Sequence, residues 1–306
     1  MKTSTQKTKR NLLQKILIIV GPTASGKTAL AIELAKRFEG EVISADSRQV
    51  YRGLDIGTGK VTKKEMAGVQ HRLIDVASPK RVYTADDFVK AGRKAIADIA
   101  QRGKLPIIAG GTGFYIDALV GNITLPHVPP NKAFRKSLEG KSAAELFVML
   151  VEKDPVRAET IDAQNPVRLI RALEIAEAIG TTPPPSHESL YDTLWIGIDV
   201  PVEVLYEKIE ARLKARMKSG MLAEAKSLHA EGLSWKRMEA LGLEYRYMAR
   251  LLQKQITRVE FDRDLATEIR HYAKRQRMYW RRNKEITWIQ KDTTLELSAD
   301  IEKWLS

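Results

Sequence analysis

The sequence predicts an α/β fold: a parallel sheet with helices on both faces, an inserted small all-helical subdomain and a helical C-terminal part. Three observations carry that expectation. Short apolar runs alternate with amphipathic helical segments between residues 16 and 125, the alternation that builds a parallel sheet covered on both sides. Pro126, Pro129 and Pro130 break the pattern, and helices without strands follow up to Gly180. Thr193 to Val200 then reads as a strand returning to the sheet, before residues 202–283 read as almost continuous helix.

Each element has a local cause. Lys15 to Val20 is apolar from Ile16 onward, as a buried strand must be, and Lys27 to Phe38 sets Leu30, Leu34 and Phe38 on one helical face. Glu41 to Ala45 and Arg72 to Val76 are short strands. Thr84, with Asp87 three residues on, forms a capping box for a helix running to about Gln101, and Gly103 ends it. Leu105 to Ala109 is the next strand, stopped by Gly110 and Gly111. Pro166 to Ile179 is a helix turning Leu169, Leu173 and Ala176 to a core, and Pro183, Pro184 and Pro185 close the inserted stretch. The expected divisions are a basic, disordered tail over 1–15, core over 16–125, the helical insertion over 126–190, and core completion with basic C-terminal helices over 191–306.

Composition excludes several classes of chemistry. There is no cysteine, which removes disulfides, thiolate nucleophiles, iron–sulfur clusters and Cys-ligated zinc. The longest clean apolar run, Ile16 to Val20, is far short of a membrane span, and the Lys-rich start lacks a signal peptide's apolar segment. A cytoplasmic monomer with no membrane association is the expectation. The net charge of +13 is concentrated locally: Arg270 to Lys284 holds seven basic residues and no acid. His271, Tyr272, Tyr279 and Trp280 interleave with them, a mixture suited to phosphates and bases, although a basic run alone reads equally as a solvated helix face.

The sharpest chemical signal is Gly21-Pro22-Thr23-Ala24-Ser25-Gly26-Lys27-Thr28, a G-x-x-x-x-G-K-[ST] phosphate loop. Residue frequencies give a chance match in a chain of this length with a probability on the order of 0.01. The loop follows a strand and opens a helix, so backbone N–H groups converge on an anion, Lys27 adds a mobile charge and Thr28 offers a hydroxyl to Mg²⁺. The core is therefore expected to be P-loop NTPase-like. The loop is generic for polyphosphates, ATP included. A carboxylate partner is expected at a strand end; Asp46 and Asp75 both qualify, with Asp46 favoured because it ends the strand after the phosphate-loop helix.

The phosphate loop, Ser44-Ala-Asp46-Ser-Arg-Gln-Val-Tyr51, Gly53-Leu-Asp-Ile-Gly-Thr58, His71-Arg-Leu-Ile-Asp75 and Gly110-Gly-Thr112-Gly-Phe-Tyr115 follow one another in order. Asp154-Pro155, Asn165-Pro-Val-Arg168-Leu-Ile-Arg171-Ala-Leu-Glu174 and Lys274-Arg-Gln276 continue the series. Over residues 16–290 this series resembles the tRNA dimethylallyltransferases, also called tRNA isopentenyltransferases, of bacterial type. Three places depart from it: Gln70 stands where the family commonly has Pro, Tyr279 where it has Trp, and Gly242-Leu-Glu-Tyr245 replaces the commoner Gly-Tyr-Lys/Arg-Glu/Gln.

The resemblance implies transfer of the dimethylallyl group of dimethylallyl diphosphate to N6 of adenosine 37, beside the anticodon of tRNA, with release of diphosphate. Residues 21–28 would bind the diphosphate with Mg²⁺ on Thr28, and Lys27 would neutralise the leaving group. Asp46 would be the general base for N6, and Thr112 would orient the diphosphate or the adenine. The adenine must leave its stack, so the flanking RNA must be gripped. Asp46, Ser47, Arg48 and Gln49 would read the flipped base. Arg135, the run Val167, Arg168, Leu169, Ile170 and Arg171, and the cations Lys274, Arg275, Arg277 and Arg281 would hold the anticodon stem-loop, with Tyr279 or Trp280 stacking on a base. The alternative from another class is a P-loop small-molecule or nucleotide kinase using ATP.

Overall fold

The computed structural model describes residues 13–181, 190–290 and 294–306. The basic tail through residue 12 and the Pro183 to Pro185 run lie outside the described residues. The chain divides into two compact units, Met1–Val120 with Ser189–Ser306, and Gly121–Glu188. In chain order the elements are β1 (Lys15–Val20), α1 (Lys27–Arg37), β2 (Gly40–Ala45), α2 (Lys63–Met66), β3 (His71–Arg72), α3 (Ala85–Gln101), β4 (Leu105–Gly110) and α4 (Gly113–Val120). The second unit holds α5 (Lys132–Ser137), α6 (Ala143–Lys153), α7 (Pro155–Ala158) and α8 (Pro166–Ile179). The first unit resumes with β5 (Asp192–Ile198), α9 (Val202–Lys218), α10 (Met221–Ala230), α11 (Trp235–Leu241), α12 (Leu243–Leu252), α13 (Arg258–Trp280), β6 (Ile286–Ile289) and α14 (Thr294–Leu305).

The six strands form one parallel sheet in the order β3-β2-β4-β1-β5-β6. Ile16 to Val20 of β1 are fully buried, as a strand covered on both faces requires. Lys15 belongs to this strand: it pairs with Asp192, and its Nζ donates to the Leu305 carbonyl at 2.9 Å. The expected tail boundary at residue 15 is corrected accordingly. In β2 the buried Glu41 is tolerated because Arg102, first, and Arg72 hydrogen-bond its carboxylate and outweigh burial, holding the group at about 2.

The expected strand Arg72 to Val76 is shorter than the sequence suggested. Leu73 (φ 62°) and Asp75 (φ 57°) adopt left-handed backbone, which no strand accommodates, and past Arg72 the chain rejoins its neighbour through the Asp75 N–H on the Gln49 carbonyl (3.2 Å) and a bridge between Tyr51 and Ala77. Four elements went unseen, the single-turn α2 among them. Six of the eight residues of α4 are buried, so it carries no polar face to reveal its period, and β6 and α14 lie beyond the basic run that closed the reading.

The strands end at one edge in a register that matters. Ala45 pairs with Gly110, so the loops leaving β2 and β4 run side by side. A Cβ on Gly110 would stand 2.2 Å from the Ala45 carbonyl oxygen and 2.5 Å from its carbonyl carbon, both backbone atoms that cannot rotate away. Gly110→Ala is therefore expected to pry β2 from β4 and cost about 2–3 kcal/mol. Urea unfolding checks this, and an unchanged midpoint would show that the two strand ends part freely.

In the second unit, Leu138, Leu146, Leu150, Ala158, Leu169, Ala172 and Leu173 form a separate core. Asn165 accepts from the Arg168 N–H to cap α8, and Pro166 occupies the first turn, where a missing N–H costs nothing. Among the described residues no helix is long and apolar enough to cross a membrane.

Candidate active site

Three loops meet at the carboxyl edge of the sheet, where ligands bind in open α/β folds. The first is the phosphate loop between β1 and α1. Gly26 precedes α1 in left-handed backbone (φ 101°), with no side-chain cap and no acid in the first turn, so the positive helix end is not neutralised from within. Ala24 is also left-handed (φ 63°), a strained conformation of the kind found at ligand clamps. The Ser25 hydroxyl is buried without a hydrogen-bond partner and has lone pairs and a proton to offer. Lys27 bends over the loop and donates to the Pro22 carbonyl at 2.6 Å. Burial above all, and Arg212 nearby, lower its pKa to about 8 against the opposing pull of Asp46.

The second loop follows β2. Asp46 Oδ1 accepts from the N–H groups of Arg48 (2.8 Å) and Gln49 (3.3 Å), which fixes the carboxylate as an Asx-type turn. Oδ2 takes no hydrogen bond from the described residues. The third loop follows β4: the Thr112 N–H donates to the Ala45 carbonyl (3.1 Å), and the Thr112 hydroxyl accepts from the Ser47 N–H (3.1 Å). Asp46 and Thr112 are thus locked together through backbone on either side of Asp46. Asp75, the other carboxylate considered, ion-pairs with the buried Lys60 instead.

Several residues at this edge had no role in the sequence reading. Tyr272 is buried close to the Asp46 charge, and burial first, then that charge, raises its hydroxyl pKa. Arg212 shares a recess with Thr23 and Ala24, open to solvent yet enclosed enough that burial, then Arg216, lowers its pKa. The Glu224 carboxylate collects the N–H groups of Asp55, Ile56 and Gly57 and the Tyr245 hydroxyl, pinning the Gly53 to Thr58 segment. Gln276 was quoted only as part of a motif, and its amide reaches both the first and the third loop. A lone Arg, Tyr or Gln inside a helix carries no local pattern, so only packing reveals these positions.

On α13, Lys274 and Arg275 are exposed, and Arg281 is exposed just past its end. Arg277 is mostly buried and paired with Asp199 at 3.1 Å. The Tyr279 hydroxyl donates to Asp117, and Arg282 sits over the ring at 4.1 Å. Trp280 is 1% exposed and packs on Trp195, so the expected stacking of Trp280 on a base is corrected: its ring belongs to the core.

Within the helical unit, Val167 and Arg168 face solvent, Arg168 lying 3.7 Å from Asp162. Leu169 is fully buried and Ile170 packs against the same core, so Leu169 is removed from the proposed RNA face and Ile170 contributes at most an edge. Arg135 and Arg171 converge on the buried Glu174. Burial, the largest influence, pushes that carboxyl up, but Arg135, Arg171 and the Asn131 N–H overcome it and hold it at about 2. Both guanidiniums keep part of their surface exposed.

No cluster of three or more metal-ligating side chains occurs among the described residues. The donor set still suits a hard cation brought in with phosphates, because Mg²⁺ takes most of its oxygens from substrate and water and needs one or two from protein. Thr28, exposed in the first turn of α1, carries a hydroxyl oxygen of that kind.

Comparison with known proteins gives a consistent result. The family model described as IPP transferase matches residues 49–283. A Treponema denticola protein named tRNA dimethylallyltransferase 2 is 45% identical over 286 residues, covering 90% of this chain and 95% of its own. A Leuconostoc citreum tRNA dimethylallyltransferase is 40% identical over 96% of this chain and 100% of its own. Among solved structures, a tRNA isopentenylpyrophosphate transferase from Bacillus halodurans superposes with a TM-score of 0.73 at 35% identity, over 95% of this chain and 96% of that one. A eukaryotic dimethylallyltransferase solved acting on tRNA gives a TM-score of 0.75 at 25% identity, over 90% of this chain and 74% of that one.

Proposed function

The chain belongs to the IPP transferase family, the tRNA dimethylallyltransferases, and from that premise we propose how its residues transfer the dimethylallyl group to N6 of adenosine 37. The kinase alternative is not favoured by this membership. Residues 21–28 hold the diphosphate of dimethylallyl diphosphate, with Lys27 above it and Arg212 facing it from α9. Mg²⁺, held by Thr28 and the phosphates, adds charge neutralisation to the leaving group when bound. The N6 lone pair attacks the allylic carbon, the carbon–oxygen bond breaks, and diphosphate departs with the bonding pair. Asp46 Oδ2 accepts the N6 proton, and no covalent enzyme intermediate is needed because the developing allylic charge is delocalised. The observation that carries this reading is the pair of 3.1 Å hydrogen bonds joining Thr112 to Ala45 and Ser47, which support a carboxylate and a hydroxyl aimed together beside the phosphate loop.

Lys274, Arg275 and Arg281 on one unit, and Val167 and Arg168 on the other, are the proposed contacts to the anticodon stem-loop, with Ser47, Arg48 and Gln49 reading the flipped base. Arg135 and Arg171 serve chiefly by shaping this helical surface through Glu174, and offer their exposed edges to phosphate. Arg277 and Tyr279 hold α13 in place, each through an acid of its own unit. Removing Lys274 and Arg275 together is expected to lower the salt slope of tRNA binding by about 1.5. Filter binding between 50 and 200 mM salt measures it, and an unchanged slope would return that face to solvent. The test of the reaction is incubation with unmodified anticodon stem-loop RNA, Mg²⁺ and dimethylallyl diphosphate, without ATP, followed by nucleoside mass spectrometry. Prenylated adenosine supports the reading; its absence alongside ATP hydrolysis would overturn it.

A further inference from the structure

We infer that Gln276 is a positioning residue: its amide spans the phosphate loop and the Thr112 loop and sets the separation of prenyl donor and acceptor. The Thr23 N–H donates to Gln276 Oε1 at 2.8 Å, and Gln276 Nε2 donates to the Gly111 carbonyl at 2.9 Å. The orientation is fixed by chemistry, because a backbone N–H needs the amide oxygen and a carbonyl needs the amide nitrogen. Among the described residues no hydrogen bond runs directly between residues 21–28 and residues 110–113. One side chain therefore supplies the polar link between them.

The bridge is built to be rigid. The Gln276 side chain is 6% exposed, and its helix is anchored on either side by Ala273 and Trp280 in the core, by Arg277 on Asp199 and by Tyr279 on Asp117. Gly111 accommodates it: a Cβ there would come within 2.1 Å of Gln276 Nε2. The inference rests on the proposed reading that the first loop binds diphosphate and the third faces the adenine. Productive transfer then needs the amine within about 3–3.5 Å of the allylic carbon as the carbon–oxygen bond breaks. If the acceptor loop drifts, water captures the same carbon, its oxygen forming the new bond and its proton leaving. The products are then dimethylallyl alcohol and diphosphate, without prenylated adenosine.

The experiment follows diphosphate and prenylated adenosine together, since their ratio per turnover does not depend on how much of a variant is folded. Wild type is expected to release them one to one; failure of wild type to make prenylated adenosine would overturn the proposed function itself. Gln276→Met keeps the volume and loses both hydrogen bonds, whereas Gln276→Glu keeps the acceptor for Thr23 and loses the donor for Gly111. Both are expected to raise the ratio to two or more and lower kcat for transfer about tenfold, with KM for dimethylallyl diphosphate moving less than threefold. A ratio that stays at one in both variants overturns the inference whatever the rate does. An effect in the Met variant that the Glu variant lacks confines the role to the Thr23 bond and overturns the bridge.

Discussion

Asp46→Ala is expected to reduce kcat for prenyl transfer by about 10³-fold while tRNA affinity stays within about threefold of wild type. The exocyclic amine of adenine shares its lone pair with the ring, so it attacks well only if its proton is already partly held. Asp46 is placed for that task by backbone geometry: Oδ1 is committed to the Arg48 and Gln49 N–H groups, leaving Oδ2 for the amine. Asp46→Asn separates the two duties. Its amide oxygen still accepts from Arg48 and Gln49, so the turn should persist, but it cannot take a proton. Single-turnover kinetics on anticodon stem-loop RNA, with gel-shift affinities beside them, should find both variants slow and the Asn variant as stable as wild type. Activity within tenfold of wild type in Asp46→Asn would remove the residue from proton transfer.

What the sequence could reveal depended on how local each cause is. The phosphate loop, the capping box at Thr84 and Asp87, and the strand-end placement of Asp46 are written in residues a few positions apart, and the structure contains each of them. The Arg72 to Val76 strand misled because its apolar composition conceals two left-handed residues, a backbone fact with no side-chain signature. Trp280 misled differently. In a basic, aromatic-rich run every aromatic reads as exposed, yet helical period turns Ala273, Gln276 and Trp280 inward while Lys274 and Arg275 stay outside. Arg135 was legible as a cation but not as a partner of Glu174, because the two meet only when α5 packs on α8, whereas Arg171 pairs with Glu174 one turn along the same helix. The same holds for Arg212 and Gln276, which lie about 190 and 250 residues from the loop they serve.

Donor binding is expected to weaken as pH rises through about 8, and Lys27→Met to abolish that dependence while weakening binding about 100-fold at pH 7. Lys27 has its pKa lowered to about 8 in the free protein, chiefly by burial, with Arg212 adding to the effect and Asp46 opposing it. A diphosphate beside the ammonium must raise that pKa, because the charged form is the one that gains the anion. By linkage, affinity is full below about 8, where free and bound proteins are both protonated, and falls up to tenfold per pH unit above it, where binding must first recruit a proton. The ligand does not confuse the measurement, since phosphate completes its last ionisation near pH 6. Titrating dimethylallyl diphosphate by calorimetry from pH 7 to 9.5 gives the profile, and two buffers of different ionisation heat count the proton taken up. A wild-type profile flat across that range, or one that Lys27→Met leaves intact, would remove Lys27 from donor binding. The falling limb must also appear in kcat/KM for the donor, a quantity set by the free protein, and be absent from kcat at saturation, where the bound anion keeps Lys27 charged.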